Sequence, residues 1–251
     1  MAFATIKFYS VVLGRSAEIN VIIPQCLKEG PNGIEYGEAD SKYKCLYLLH
    51  GLGDDNSTWY ARTSIERYAN KYGICVVMPS GDKSFYTDMK YGDKYYTYIA
   101  HEVPTAVRQF FNVSEKREDN FIAGNSMGGY GALKVALREC DSFCAVAGLS
   151  ACADIKKLVS GAVYMPIFGE DRVVKDEDDI LYLADLQKDN PNKPRVFIGI
   201  GTKDFLYENN KELCEKLKEN GYDFTYQESE GTHNWDFWDK CIQDVLKWMF
   251  E

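Results

Sequence analysis

The chain alternates short, wholly apolar runs with longer stretches of helical spacing. Two β-rich runs come first, at 5–13 and 17–24, and Gly14-Arg15-Ser16 between them predicts an antiparallel hairpin. Residues 26–42, rich in Gly, Glu and Asn, read as a surface loop. Cys45-Leu46-Tyr47-Leu48-Leu49 is apolar throughout and too short for a helix, so it suits a strand buried on both faces. Runs at 74–79, 120–124, 144–149, 195–201 and 223–228 repeat that reading. Helical spacing fills 63–72, about 99–111, about 127–139, 209–220 and 235–250, and Gly221 supplies a stop signal. Strands alternating with helices predict an α/β fold whose central sheet is mostly parallel, with helices on both faces. No linker or internal repeat interrupts the pattern, so 1–251 reads as a single domain. An insertion at about 151–190 carries the acidic cluster Lys175-Asp176-Glu177-Asp178-Asp179, expected to be solvated.

Composition narrows the function classes. Hydrophobic residues make up 45% and aromatics 14% of 251 residues, enough for a core and against disorder. A net charge of −9 and a pI near 5.0 count against nucleic acid and anionic membranes as partners. No apolar run approaches the roughly 20 residues of a membrane span, and the N-terminus lacks a signal-peptide pattern, so a soluble cytoplasmic protein is expected. The eight cysteines form no C-x-x-C pair and fall mostly in strand-like or helical runs. Free, buried thiols in a reducing compartment follow, with no metal or cofactor expected. Without a secretory signal, the sequons at Asn56 and Asn112 read as chance matches.

The chemistry concentrates at Phe121-Ile122-Ala123-Gly124-Asn125-Ser126-Met127-Gly128-Gly129-Tyr130-Gly131. An apolar strand ends at a serine between small residues and a helical pattern follows at once, the strand–turn–helix context of a G-x-S-x-G nucleophile elbow. So sharp a turn strains the serine backbone and brings neighbouring chain close, which is why glycine is needed at 124 and 128. The glycines do not fit G-x-G-x-x-G, so a dinucleotide loop is rejected.

A serine hydroxyl needs a base, and the base needs a carboxylate to hold its tautomer. Of three histidines, His233 follows the last strand and precedes the last helix, where a base belongs in the chain order Ser, Asp, His. His101 falls in a helical pattern and reads as packing or surface. His50 ends a strand beside a glycine-rich loop that it is expected to shape. Asp204, after the strand at 195–201, is favoured over Asp154 and Asp171 as the carboxylate. Two backbone amides must face the developing oxyanion, and Met127 and Leu52 are the candidates, the latter freed by Gly51 and Gly53.

His50-Gly51-Leu52-Gly53 with Trp59, Gly124-Asn125-Ser126-Met127-Gly128-Gly129-Tyr130-Gly131-Ala132, and Gly231-Thr232-His233-Asn234-Trp235 with Trp238 resemble the esterase D-like family. That family includes tributyrin esterases, S-formylglutathione hydrolases and acetyl-xylan and feruloyl esterases, and the tributyrin-esterase branch is most similar. The resemblance implies an α/β-hydrolase fold, Ser126 as nucleophile, Asp204 as orienting carboxylate, His233 as base, and oxyanion amides at Leu52 and Met127. Trp59, Asn125 and Trp235 are candidates for contact with substrate, although Trp59 is expected chiefly to pack the oxyanion loop. Tyr164 and Phe168 of the insertion are candidate pocket walls.

The implied activity is a serine carboxylic ester hydrolase acting through an acyl-enzyme on short acyl or sugar-linked esters, with a small-molecule substrate. Family members often associate, so a homo-oligomer is an open expectation. The S-formylglutathione hydrolases usually carry a cysteine just after the oxyanion loop. This chain has Asp54-Asp55-Asn56 there, which places a thioesterase second. A non-catalytic carbohydrate-binding relative, with Tyr86, Tyr91, Tyr95, Tyr96 and Tyr98 as a sugar platform, is the alternative of another class.

Overall fold

The computed structural model describes residues 1–31, 33–37 and 41–251. Eight strands form one sheet: β1 (Ala2–Ser10), β2 (Arg15–Ile23), β5 (Cys45–Leu49), β6 (Cys75–Pro79), β7 (Asn120–Asn125), β8 (Ala145–Leu149), β9 (Arg195–Gly201) and β10 (Phe224–Ser229). Their spatial order is β1-β2-β6-β5-β7-β8-β9-β10. The first two pairings, β1 with β2 and β2 with β6, are antiparallel, and every later pairing is parallel. β3 (Leu27–Gly30) and β4 (Gly33–Tyr36) form a separate small hairpin.

The helices are α1 (Thr58–Arg62), α2 (Ile65–Tyr72), α3 (Tyr95–Thr97), α4 (Val103–Phe110), α5 (Met127–Arg138), α6 (Met165–Phe168), α7 (Ile180–Leu186), α8 (Tyr207–Glu219) and α9 (Trp235–Phe250). Period-two alternation sorts each buried strand onto two cores. Cys45, Tyr47 and Leu49 pack with side chains of α4, α5, α7 and α8, whereas Leu46 and Leu48 pack with those of α1, α2 and α9. Both faces are covered, which is why β5 through β8 carry no alternation in sequence. Among the described residues, no helix is long and apolar enough to cross a membrane.

Several expectations change. The loop expected at 26–42 contains the β3–β4 hairpin, whose strands are too short and too exposed to show a period; its positions 32 and 38–40 lie outside the described residues. The helix expected from residue 99 begins at Tyr95, because a π-turn over Tyr98–Glu102 joins α3 to α4 and carries tyrosines that resemble loop residues in sequence. Asn56 is buried and bonds Glu18, so its sequon is inaccessible in the fold.

The acidic cluster is only partly solvated. Asp178 and Asp179 are buried, and Asp179 caps α7 by accepting from the Leu181 and Tyr182 amides. Asp178 receives the ammonium of Lys134, a fully buried residue of α5, at 2.9 Å. The same ammonium donates to Thr87 Oγ1 at 2.6 Å and lies 4.8 Å from the centroid of the Tyr130 ring. Tyr130 in turn donates to the Asp178 carbonyl at 2.6 Å. Burial pulls the Lys134 pKa down, and Asp178 opposes that pull. This cluster ties the insertion and the segment around Phe85 to the helix that follows Ser126.

Asp178→Asn should therefore cost about 3 kcal/mol of stability, since a buried ammonium loses its counter-charge. Adding Lys134→Met should recover much of that loss. Urea unfolding measures both variants; a single-variant loss below about 1 kcal/mol would mean that the pair is effectively solvated.

Candidate active site

β5, β7, β8 and β9 all end on one edge of the sheet, and the loops leaving them meet there. Ser126 sits between β7 and α5 with φ 53° and ψ −116°, a conformation that side chains rarely adopt. Its amide donates to the Leu149 carbonyl at the end of β8 at 2.8 Å, which holds the turn. A Cβ on Gly128 would lie 2.6 Å from the His50 carbonyl, and one on Gly124 would lie 2.8 Å from that of Leu49. Neither position accepts a side chain without displacing the β5 end.

His233 stands on the loop between β10 and α9. Its Nε2 lies 2.9 Å from Ser126 Oγ, and its Nδ1 lies 2.9 and 3.1 Å from the two Asp204 oxygens. An ionised carboxylate has no proton to give, so Nδ1 donates and Nε2 is left to accept the serine proton. The loops carrying Asp204 and His233 are stitched together by Thr202 N–H to the Ser229 carbonyl and Lys203 N–H to the Gly231 carbonyl, both at 2.9 Å. Gly201 permits that approach, since a Cβ there would lie 2.5 Å from the Gly231 carbonyl. Burial pushes the Asp204 carboxyl up. Hydrogen bonds from the His233 imidazole and the Leu206 amide outweigh it and hold the group below the ordinary carboxylate range.

The loop after β5 is shaped by His50, as expected. The imidazole is buried, accepts from Gly81 N–H at 2.8 Å and so donates through Nδ1 to the Gly51 carbonyl at 2.8 Å. Burial pushes its pKa down, so it stays neutral. Tyr86 Oη donates to the His50 carbonyl at 2.8 Å. Leu52 is exposed on this loop. Met127 opens α5, where an amide has no intrahelical acceptor. A negative charge arriving beside Ser126 would meet the positive end of α5.

The residues expected to touch substrate fare differently. Trp59 is 1% exposed: its indole N–H donates to the Leu49 carbonyl at 2.9 Å and its ring meets Trp235 edge-on, which leaves no face for a substrate. Asn125 is also fully buried, beneath Gly51, with both amide atoms unpartnered. Trp235 is half-buried in an aromatic row that runs Trp59, Trp235, Trp238, His233, Phe205. Direct contact is thus corrected to packing for Trp59 and Asn125.

Of the tyrosine platform, Tyr86, Tyr95, Tyr96 and Tyr98 are buried and Tyr91 is exposed, so these five rings do not form a shared sugar-stacking surface. His101 is exposed and pairs with Glu139, and Asp154 pairs with Lys157. Residues missed from sequence include Phe205, 75% exposed with its ring 4.6 Å from that of His233. Cys152 is another: it is buried, and its amide donates to the Ser126 carbonyl at 3.4 Å. A phenylalanine next to a candidate acid and a cysteine in an Ala-rich run carry no periodic signal.

Comparison with known proteins places this geometry in context. The model of the Esterase family ("Putative esterase") matches residues 10–249. The chain is 33% identical over 264 residues to an acetyl esterase of Caldicellulosiruptor saccharolyticus, covering 99% of this chain and 98% of that protein. Among solved structures it is similar to the substrate-bound fluorophosphonate-binding serine hydrolase F of Staphylococcus aureus, with 36% identity and TM-score 0.90 over 100% of this chain and 98% of that one. It is also similar to the S-formylglutathione hydrolase of Staphylococcus aureus, with 35% identity and TM-score 0.87 over 100% and 99% of the two chains.

Because the folded state lowers the Asp204 pKa, the unfolded chain takes up a proton first as pH falls. The stability that Asp204 contributes is therefore full above the ordinary carboxylate range and disappears as pH drops through the depressed value. Asp204→Asn should be less stable than the parent at pH 7, with the gap closing toward pH 2. Thermal unfolding across that range tests it, and a gap independent of pH would count against the depressed pKa.

Proposed function

Starting from a chain that belongs to the Esterase family and hydrolyses esters with a serine, we propose that Ser126 is the nucleophile, His233 the general base and acid, and Asp204 the orienting carboxylate. The observation that carries this is the unbroken run of hydrogen bonds from Ser126 Oγ through the imidazole to Asp204. His233 Nε2 takes the Ser126 proton as Oγ attacks the acyl carbon. The Leu52 and Met127 amides receive the oxyanion, each worth about 3 kcal/mol in the transition state. Collapse of the tetrahedral adduct expels the alkoxide, which takes the proton from Nε2. Water then enters, gives a proton to Nε2 and hydrolyses the acyl-enzyme, restoring the serine. Asp204 stays ionised throughout and steadies the imidazolium.

Short acyl groups suit the site best. Cys152, at the start of the insertion, is buried beside Ser126, its amide donating to the Ser126 carbonyl at 3.4 Å, which supports a close wall at the acyl position. Tyr164 packs on Phe85 and Phe168. The acetyl esterase relative supports the same reading. A thioester leaving group is the second reading, favoured by the similarity to S-formylglutathione hydrolase. Against it, carboxylates at Asp54 and Asp55 follow the oxyanion loop where a thiol is usual. Eight free cysteines, six of them buried, favour a reducing, cytoplasmic setting.

Ser126→Ala should lower kcat on p-nitrophenyl acetate by about 10⁴-fold or more and abolish fluorophosphonate labelling. Residual turnover near the parent value would eliminate Ser126 as nucleophile. Over a series of p-nitrophenyl esters, kcat/KM should fall at least about tenfold from acetate to octanoate. A rise with chain length would remove the short-acyl assignment, and a large preference for S-formylglutathione over every oxygen ester would invert the ranking of leaving groups.

A further inference from the structure

We propose that Phe205 is the leaving-group platform of this site and selects esters of aromatic alcohols, such as phenols and benzyl alcohols. The proposal rests on the reading of Ser126 and His233 above and names the alcohol side of the substrate, which that reading leaves open. Phe205 lies between Asp204 and the buried Leu206, yet it is 75% exposed. The turn of the acid itself puts it there. Asp204 Oδ1 accepts from the Leu206 amide at 2.9 Å, and the Asp204 carbonyl accepts from the Tyr207 amide at 3.0 Å. The Asp204 amide donates to the Gly201 carbonyl at 3.0 Å. With Leu206 turned into the core, the residue before it is turned out. The bonds that set the carboxylate beside the imidazole therefore also fix where Phe205 stands.

Singly exposed apolar residues are ordinary on a protein surface. Phe205 differs in what it touches. Its ring centroid is 4.6 Å from that of His233, with planes at 49°, so it leans on the imidazole without stacking flat and keeps most of its surface open. Trp238 meets the same imidazole edge-on at 5.0 Å, but its indole is buried. Of these two rings, Phe205 is the one a substrate can reach.

Chemistry decides which part of the substrate arrives. When the tetrahedral adduct collapses, the bond from carbon to the alcohol oxygen breaks, the electron pair stays on that oxygen, and the oxygen takes the proton from His233 Nε2. For that transfer the alcohol oxygen must come within about 3 Å of Nε2. The first atoms of the alcohol therefore lie beside the imidazole, and a ring on that oxygen, or one carbon beyond it, meets Phe205. Phe205 offers no donor or acceptor, only a flat face and an edge. These favour another aromatic ring over a linear or polyhydroxylated alcohol.

Benzyl acetate, ethyl acetate and an acetylated methyl glucoside, with acetate release followed at constant pH, test this on the parent, Phe205→Ala and Phe205→Tyr. Dividing parent by variant for each ester cancels the intrinsic reactivity of the leaving group. Phe205→Ala should lower kcat/KM for benzyl acetate about five- to tenfold more than for ethyl acetate, the size of one aromatic contact. The loss should fall on KM rather than kcat, since the contact is made alike in the bound ester and the transition state. Phe205→Tyr keeps the ring and should keep most of the benzyl preference. Both variants should hold a Tm near the parent value, because the side chain is largely exposed. Equal losses on benzyl and ethyl acetate would mean that Phe205 only steadies the imidazole, and would overturn the proposal. A larger loss on the acetylated sugar than on benzyl acetate would overturn it too. The nucleophile reading fails separately, if Ser126→Ala still labels with fluorophosphonate. Phe205→Ala should label as the parent does, so a flat ester series in that variant strikes the platform alone.

Discussion

The close packing of three backbones at the end of the sheet is the constraint on which the site depends. β7 delivers its chain into a turn where Ser126 must adopt a left-handed conformation, and α5 must begin at once. That is feasible only because Gly124 and Gly128 let α5 press against the carbonyls of Leu49 and His50. The same contact places the loop after β5 beside the first turn of α5, so one packing arrangement forms the elbow and sets that loop next to it. The strain at Ser126 is offset by the Ser126 amide bond to Leu149 and by the wholly buried strands on either side.

Electrostatics then complete what packing begins. Asp204 is buried, which by itself would favour its neutral form. Donors from an imidazole and an amide reverse that preference. The carboxylate is charged because the loops around it are folded, and those loops are folded partly because Gly201 allows β9 and the His233 loop to touch. His50 shows the opposite solution: burial keeps it neutral, and with both nitrogens bonded to backbone it serves as a spacer under the Gly51 turn.

The insertion is attached by a different device. Lys134, midway along α5, buries its ammonium between Asp178 and Thr87, with Tyr130 alongside. An ion pair this deep contributes geometric definition more than net stability, since desolvation consumes much of the Coulomb gain. Its effect is to lock residues of the insertion and of the Tyr-rich segment to the helix that begins beside the proposed nucleophile. Tyr164, Phe168 and Phe85 are thereby assembled into one aromatic wall.

Much was legible in the chain because its signals are local. Buried parallel strands leave uniform apolar runs, glycines mark the elbow, and the order Ser126, Asp204, His233 on strand ends follows from connectivity. Helix ends were legible where a Gly or a cap stood, as at Gly221, and illegible where the π-turn let tyrosines continue a helix. What local signals do not encode is the partner across the fold. Nothing around Lys134 announces that Asp178 will meet it, since a lysine in a helix normally faces water. Trp59 and Asn125 flank the site in sequence and are buried beneath it in space. Ser150 looks like any serine after a strand until the Trp238 indole arrives from a helix 88 residues away. The sequence by itself determined which elements form and which end of the sheet carries chemistry. Tertiary packing alone decided protonation, burial and hydrogen-bond direction, because these depend on neighbours brought together only when the chain closes.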